Sequence, residues 1–190
     1  MILLLDNYDS FTFNLEQCIG KINAKIKVVK NDELTIDEIK KLGISHLVIS
    51  PGPGNQYNTG ITMDLINNLK EKTPILGICL GHQTIGHCLG ARIIKSKKIM
   101  HGKTSQITHN KKSILFNNIP SKFKATRYHS LVIDKEYENN NINITSFSED
   151  GEIMSIEHKY LPVYGVQYHP EAILTEYGEQ LIQNFLSIVV

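Results

Sequence analysis

The segment Gly77-Ile78-Cys79-Leu80-Gly81 sets a cysteine between two glycines, at the point where the apolar run Ile75 to Ile78 gives way to a helical pattern. Flanking glycines let a nucleophile occupy a strained turn between strand and helix, with its side chain pointing into a cleft. A thiol held there lies at the positive end of the following helix, and the next backbone N–H comes close to a developing oxyanion. Near the other end of the chain, Gly165-Val166-Gln167-Tyr168-His169-Pro170-Glu171 runs out of a strand into a proline. In extended chain, positions two apart share a face, so His169 and Glu171 point the same way and Glu171 can hold the imidazole by its second nitrogen. A general base oriented by a carboxylate is what a cysteine nucleophile needs in acyl transfer. Taken singly, Cys79 also reads as a small buried hydrophobe, and His169 with Glu171 as a surface pair at a loop edge. Both motifs fall where open α/β sheets place their ligands, at the carboxyl ends of strands.

Two other chemistries compete for the same residues. Cys79, His82, His87 and Cys88 are all zinc-competent, but on a helix their spacing spreads them around the cylinder, and no second cysteine pair completes a zinc pattern. No metal site is expected. Pro51-Gly52-Pro53-Gly54 follows a strand, yet it lacks the register of a dinucleotide fingerprint and the Lys-Ser/Thr of a phosphate loop. Its glycines suit a backbone donor beside the thiol better.

The elements that must position these groups follow from hydrophobic period. Ile2 to Leu5 reads as a buried strand, and Leu15, Cys18, Ile19 and Ile22 have helical spacing. A second strand follows at Ile26 and Val28 to Val29. Thr35-Ile36-Asp37-Glu38 has capping-box spacing and starts a helix through Leu42. His46 to Ser50 is a third strand, Ile61, Leu65, Ile66 and Leu69 make a helix, and Ile75 to Ile78 is a fourth strand. From Ala91 to about Phe116 the helical period vanishes, which predicts an antiparallel extension of the sheet. Ile142 to Phe147, Ile153 to Glu157 and Val163 to Tyr168 read as strands, the polar tract Glu138 to Asn143 as a hairpin loop, and Glu176 to Val190 as a helix with Leu181, Ile182, Phe185 and Ile188 inward. The fold class is therefore α/β: an open, mostly parallel twisted sheet with helices on both faces and a small antiparallel extension. With 190 residues, and neither repeat nor linker, one domain over residues 1–190 is expected.

Composition narrows the function further. Lys+Arg 20 against Asp+Glu 19 leaves a formal charge of +1, so no global field draws the chain to nucleic acid or to an anionic membrane. The odd number of cysteines, at Cys18, Cys79 and Cys88, suits a reducing compartment and free thiols. The N-terminal apolar run is too short for a signal segment, and no transit or spanning segment is read in the sequence. Abundant Ile, Lys and Asn carry the stamp of an AT-rich genome, which points to a plastid stroma, with a bacterial cytoplasm as the alternative.

Six blocks in order resemble one family, the class I (triad) glutamine amidotransferases, and within it the small subunits of the chorismate-using synthases. They are Asp6-Asn7-Tyr8-Asp9-Ser10-Phe11-Thr12, Ser50-Pro51-Gly52-Pro53-Gly54, Gly77-Ile78-Cys79-Leu80-Gly81-His82-Gln83, His101-Gly102-Lys103-Thr104-Ser105, Arg127-Tyr128-His129-Ser130-Leu131 and Gly165 through Glu171. The resemblance implies a flavodoxin-like amidotransferase fold in which Cys79 attacks the side-chain amide of glutamine, His169 relays the proton to ammonia and Glu171 orients His169. It implies an oxyanion hole from the N–H groups of Gly54 and Leu80, and glutamine-binding positions at Gly52, Pro53, Gly54, Gln83, Ser130 and Leu131. It implies no cofactor in this chain, and a large partner subunit that binds chorismate and magnesium. His101 to Ser105 and Asp6 to Phe11 are the candidate docking face. Anthranilate synthase is the leading assignment, and aminodeoxychorismate synthase, or service to both, the nearest alternative. A partner-independent cysteine hydrolase and a catalytically silent binding module are the readings from other classes. Two departures stand out: Asn55-Gln56-Tyr57-Asn58-Thr59-Gly60 replaces the family's usual run after the Pro-Gly-Pro-Gly loop, and Ala172 stands where a serine is usual.

Overall fold

The structure, a computed structural model, describes residues 1–22, 25–136 and 140–190. Its strands are β1 (Ile2–Asp6), β2 (Ile26–Lys30), β3 (His46–Ile49), β4 (Ile75–Ile78), β5 (Ile93–Lys95), β6 (Lys103–His109), β7 (Lys122–Arg127), β8 (Leu131–Ile133), β9 (Ile142–Ser148), β10 (Ile153–His158) and β11 (Val163–Val166). Helices α1 (Thr12–Gly20), α2 (Ile36–Lys41), α3 (Thr62–Leu69), α4 (Leu80–Cys88) and α5 (Gly178–Leu186) alternate with them.

Nine strands form one sheet in the order β2-β1-β3-β4-β11-β10-β9-β6-β7. From β2 to β11 every pairing is parallel, and from β11 to β7 every pairing is antiparallel. Of the extension foreseen over Ala91 to Phe116, β6 joins this antiparallel side, together with β7, β9 and β10, and β11 is the seam. Ile93–Lys95, which lies within the predicted extension, instead pairs with β8 in a separate two-stranded sheet. Period-two alternation in β1 splits the core into two layers, because Ile2 and Leu4 point to one face and Leu3 and Leu5 to the other. One layer packs Leu15 and Ile19 of α1 and Leu181, Ile182 and Phe185 of α5 on the sheet. The other packs Ile39 of α2, Leu65, Ile66 and Leu69 of α3 and Ile85 of α4. Each fully buried aliphatic side chain contributes about 2 kcal/mol by leaving water, and this two-sided burial is what makes β4 a rigid base for the turn that follows it.

The predicted capping box forms: Thr35 Oγ1 accepts from Glu38 N, and Glu38 Oε2 accepts from Thr35 N. The tract Glu138 to Asn143 lies outside the described residues as far as 139, and Ile142 and Asn143 already belong to β9. After Gly54 the chain makes a short 3-10 turn, Gln56–Asn58, capped by the Asn55 side chain. It then passes Asn31 so closely that the Ile61 N–H donates to the Asn31 carbonyl. No helix among the described residues is long and apolar enough to cross a membrane.

Candidate active site

Cys79 sits at the junction of β4 and α4 with φ 52 and ψ −102, a left-handed conformation that costs a non-glycine residue about 1–3 kcal/mol. The surroundings hold it there. Cys79 N donates to Val166 O at 2.9 Å, tying the turn to β11. A Cβ on Gly77 would lie 2.4 Å from the backbone carbon and oxygen of Gly81, and one on Gly81 would lie 2.6 Å from Ile49 O. The first turn of α4 therefore presses directly against β3 and β4, and only glycine fits at either position. Leu80 opens α4, so its N–H lacks an intrahelical acceptor and stands beside the sulfur's own backbone.

His169 arrives from the seam. Its N–H donates to Thr126 O at 3.0 Å, while its carbonyl accepts from Thr175 Oγ1 at 2.7 Å and from Ala172 N at 3.2 Å. The backbone is thus clamped on both sides, and Thr175 supplies a hydroxyl in a segment where Ala172 cannot. His169 Nδ1 and Glu171 Oε1 are 2.7 Å apart, with both side chains buried. Burial pushes the imidazole pKa down, but hydrogen bonding to Cys79 and to Glu171, together with their charges, more than offsets this and raises it to about 10. Nε2 makes no well-aligned hydrogen bond, so its link to the thiol is a close electrostatic contact rather than an ideal one. The Tyr128 ring stands edge-on to the imidazole at a centroid distance of 5.0 Å.

Segment 127–131 closes the centre from the antiparallel side. Tyr128 O lies 3.9 Å from Cys79 Sγ, and Leu131 O accepts from Gln83 Nε2 at 2.9 Å. Gln83 is buried. Of the other sequence-predicted positions, Gly52 packs at the elbow, where a Cβ on it would come within 3.1 Å of Leu80 Cδ2. Pro53 and Gly54 are exposed, Gly54 with φ 82 and Asn58 as its nearest neighbour. Ser130 is exposed, with its carbonyl accepting from Ser96 N.

The zinc-competent set is not gathered. His82 is fully buried and packs beside Gly165, with its pKa pushed down to about 3 by burial, whereas His87 meets the Tyr57 ring and Cys88 Sγ lies near Met63 O. The block Asp6 to Phe11 ties loops together. Asn7 bonds to Ser50, Asn31 and Thr62, and Asp6 Oδ1 accepts from Asp9 N and Thr12 Oγ1. His101 is exposed, edge-on to Tyr128, and Ser105 is buried against Arg127.

Three features were not singled out from the sequence. Gln167 Nε2 lies 3.6 Å from Cys79 Sγ, a placement that the period-two rule applied to His169 and Glu171 also predicts. Thr175 is a second, and its clamp on His169 carries no sequence signal. The third is Arg127, fully buried, which donates to Ser105 Oγ and to Nε2 of His129 at 3.0 Å each and pairs with Asp150 and Glu152. Beside the centre, a groove of about 790 Å³ runs between α1 and the segment Pro170 to Gln180, with Tyr128, His169 and Glu171 in its wall.

A thiol, a buried imidazole raised in pKa and a buried carboxylate in series form an arrangement suited to nucleophilic attack on an acyl carbon. A chain from Cyanophora paradoxa named anthranilate synthase component 2 is 52% identical over 188 residues, covering 98% of each chain. One from Bacillus subtilis (strain 168), named aminodeoxychorismate/anthranilate synthase component 2, is 44% identical over 98% of this chain and 95% of its own length. A solved structure from Thermoplasma acidophilum, described as a subunit of GMP synthase, superposes with a TM-score of 0.86 at 26% identity, over 97% of this chain and 91% of that one. The model of the class-I glutamine amidotransferases matches residues 3–189, and the chain belongs to that family.

Proposed function

We propose that the chain is the glutamine amidotransferase subunit of an anthranilate synthase, with Cys79, His169 and Glu171 as its catalytic residues. The observation that carries the reading is the imidazole held between a strained thiol and a buried carboxylate in a chain of this family. Cys79 Sγ first cedes its proton to His169 Nε2, whose raised pKa of about 10 holds it, and the thiolate then attacks the side-chain amide carbon of glutamine. Backbone N–H groups of Gly54 and Leu80 stabilise the tetrahedral oxyanion. Collapse breaks the C–N bond, His169 returns the proton to the leaving nitrogen, and ammonia departs from a γ-glutamyl thioester. Water then attacks the thioester, His169 accepting its proton; the C–S bond breaks, sulfur leaves as thiolate beside the protonated His169, and glutamate departs. Glu171 keeps the imidazole oriented and favours its protonated form. Gly52, Pro53, Gln83, Ser130 and Leu131 hold the glutamine.

Ammonia set free at neutral pH is mostly protonated and is no nucleophile, so the reaction calls for a partner that takes it directly. We assign that role to a chorismate-binding large subunit carrying the magnesium, as the component 2 names of the relatives support. The name of the Bacillus subtilis relative favours one second reading, service to an aminodeoxychorismate synthase as well. The Ile-, Lys- and Asn-rich composition and the Cyanophora paradoxa relative support a plastid stroma, and the Bacillus subtilis relative supports the bacterial cytoplasm as the alternative.

The test is to mix the purified chain separately with an anthranilate-type and an aminodeoxychorismate-type large subunit, glutamine, chorismate and magnesium, with Cys79→Ser as control. Anthranilate in the first mixture alone is expected, and product in both means a shared subunit. Product from free ammonia but none from glutamine in either mixture would sink the amidotransferase reading.

A further inference from the structure

Gln167 is fully buried and reaches the thiol from the seam strand's end, Nε2 lying 3.6 Å from Cys79 Sγ. The orientation of its amide follows from a chain of partners that starts at a group with only one role. The Leu131 carbonyl can only accept, so the Gln83 amide must turn its nitrogen toward it, at 2.9 Å. That same nitrogen lies 3.1 Å from Gln167 Oε1, which must then be oxygen. Gln167 is left to present its NH2 group to the sulfur. A sulfur that accepts from Gln167 points its own proton away from that amide, toward the side where the Tyr128 carbonyl lies at 3.9 Å and where the buried His169 Nε2 stands without a well-aligned partner.

We propose that Gln167 is a further catalytic residue of this centre. Its amide holds Cys79 Sγ in the attacking rotamer, directs the thiol proton toward His169, and stabilises the negative charge left on sulfur once the proton has moved. Gln167 itself neither gains nor loses a proton: the S–H bond breaks, the N–H bond on His169 forms, and the electron pair stays on sulfur. Hydrogen bonds to a charged partner are the stronger class, and losing this one is expected to slow thiolate chemistry about tenfold. The inference rests on the glutaminase reading of Cys79. It adds to that reading a link between the residues proposed to hold glutamine, Gln83 and Leu131, and the nucleophile.

The experiment follows alkylation of Cys79 by iodoacetamide across pH in the wild type, Gln167→Glu and Gln167→Met, with site assignment by mass spectrometry. Glutamate keeps the acceptor that Gln83 needs and replaces the donor with an anionic oxygen, whereas methionine keeps the volume and removes both. The expected result is alkylation about tenfold slower at neutral pH for Gln167→Met and slower still for Gln167→Glu, with both pH profiles moved upward. If Gln167 served only to hold Gln83, Gln167→Glu would match the wild type, and that outcome overturns the proposal, as do equal rates in all three proteins. Should both variants unfold by circular dichroism, the side-chain amide resonance of Gln167 in the wild type decides: it shifts when Cys79 is alkylated, and its failure to move refutes the contact. Glutamine hydrolysis by the wild type with its partner is measured alongside. Its absence would sink the glutaminase reading while leaving the alkylation result to judge Gln167 alone.

Discussion

Cys79 and Tyr128 approach the same imidazole from opposite halves of the sheet, and different forces hold them. On the parallel side, the elbow is fixed by backbone against backbone, with Gly77 and Gly81 allowing contacts that any side chain would block, over a base of Leu3, Leu5, Leu47, Ile49 and Ile75. On the antiparallel side, the start of segment 127–131 is fixed by a buried cation: Arg127 is shared among Glu152, Asp150, Ser105 and His129. Steric fixing tolerates no substitution, whatever its chemistry. Ionic fixing is punished when one partner is lost, yet forgives the loss of both, because much of the penalty is the stranded charge.

That contrast can be broken by experiment. Gly77→Ala carries the largest expected effect, about 4 kcal/mol or more, since the new Cβ would meet the Gly81 carbonyl at 2.4 Å. Urea unfolding measures it, and a midpoint near that of the wild type would mean the elbow relaxes and the steric account fails. Next is Arg127→Met, expected to cost about 3 kcal/mol by leaving buried Glu152 uncompensated. The double variant Arg127→Met with Glu152→Met should recover most of that loss in the same assay. Additive losses instead would show that the network acts through shape, as the elbow does.

The smallest effect is expected at the seam and depends on pH. His169 has a folded pKa of about 10 against an ordinary value of 6.5. Its pairing with Glu171 and Cys79 therefore contributes stability that is complete below about pH 6.5 and is lost as pH rises through about 10. The stability gap between the wild type and Glu171→Gln should accordingly be widest at and below neutral pH and shrink toward pH 10. A gap that stays flat with pH would mean that Glu171 does not govern His169.

The same contrast decided what could be read in advance. The parallel half announces itself through apolar runs and helical spacing, as in Leu65, Ile66 and Leu69 of α3, because burial on both faces leaves a plain hydrophobic signature. β7 does not, since Lys122–Arg127 interleaves lysines with inward positions and the last of these is a charged arginine. Only the ion pairs made far along the chain explain why Arg127 is inside. Boundaries slipped for a similar reason. The strand expected to reach Tyr168 ends at Val166, because His169 bridges to Thr126 beyond it. The helix expected from Glu176 starts at Gly178, because Glu176 N donates to Lys124 O and Tyr177 adopts φ 58. Within the candidate site, Cys79, His169 and Glu171 were legible because residue type and local spacing suffice to flag them. Gln167 shares the face of His169 and Glu171 by the same period-two spacing, but its contact with the thiol was not legible, since it depends on how β11 lies against β4.

The placement of β11 also sets a schedule. This strand slots between β4 and β10, although the chain makes it after both. During synthesis, which proceeds at about 5–20 residues per second, the thiol of Cys79 exists for several seconds before His169 has been polymerised. Through that interval Val166 O has not yet arrived to accept from Cys79 N, and β4 and β10 lack the neighbour that covers their facing edges. One late insertion both seals the sheet and brings His169 and Glu171 to Cys79, so the candidate site cannot assemble on a nascent chain until residues 163–171 have been made.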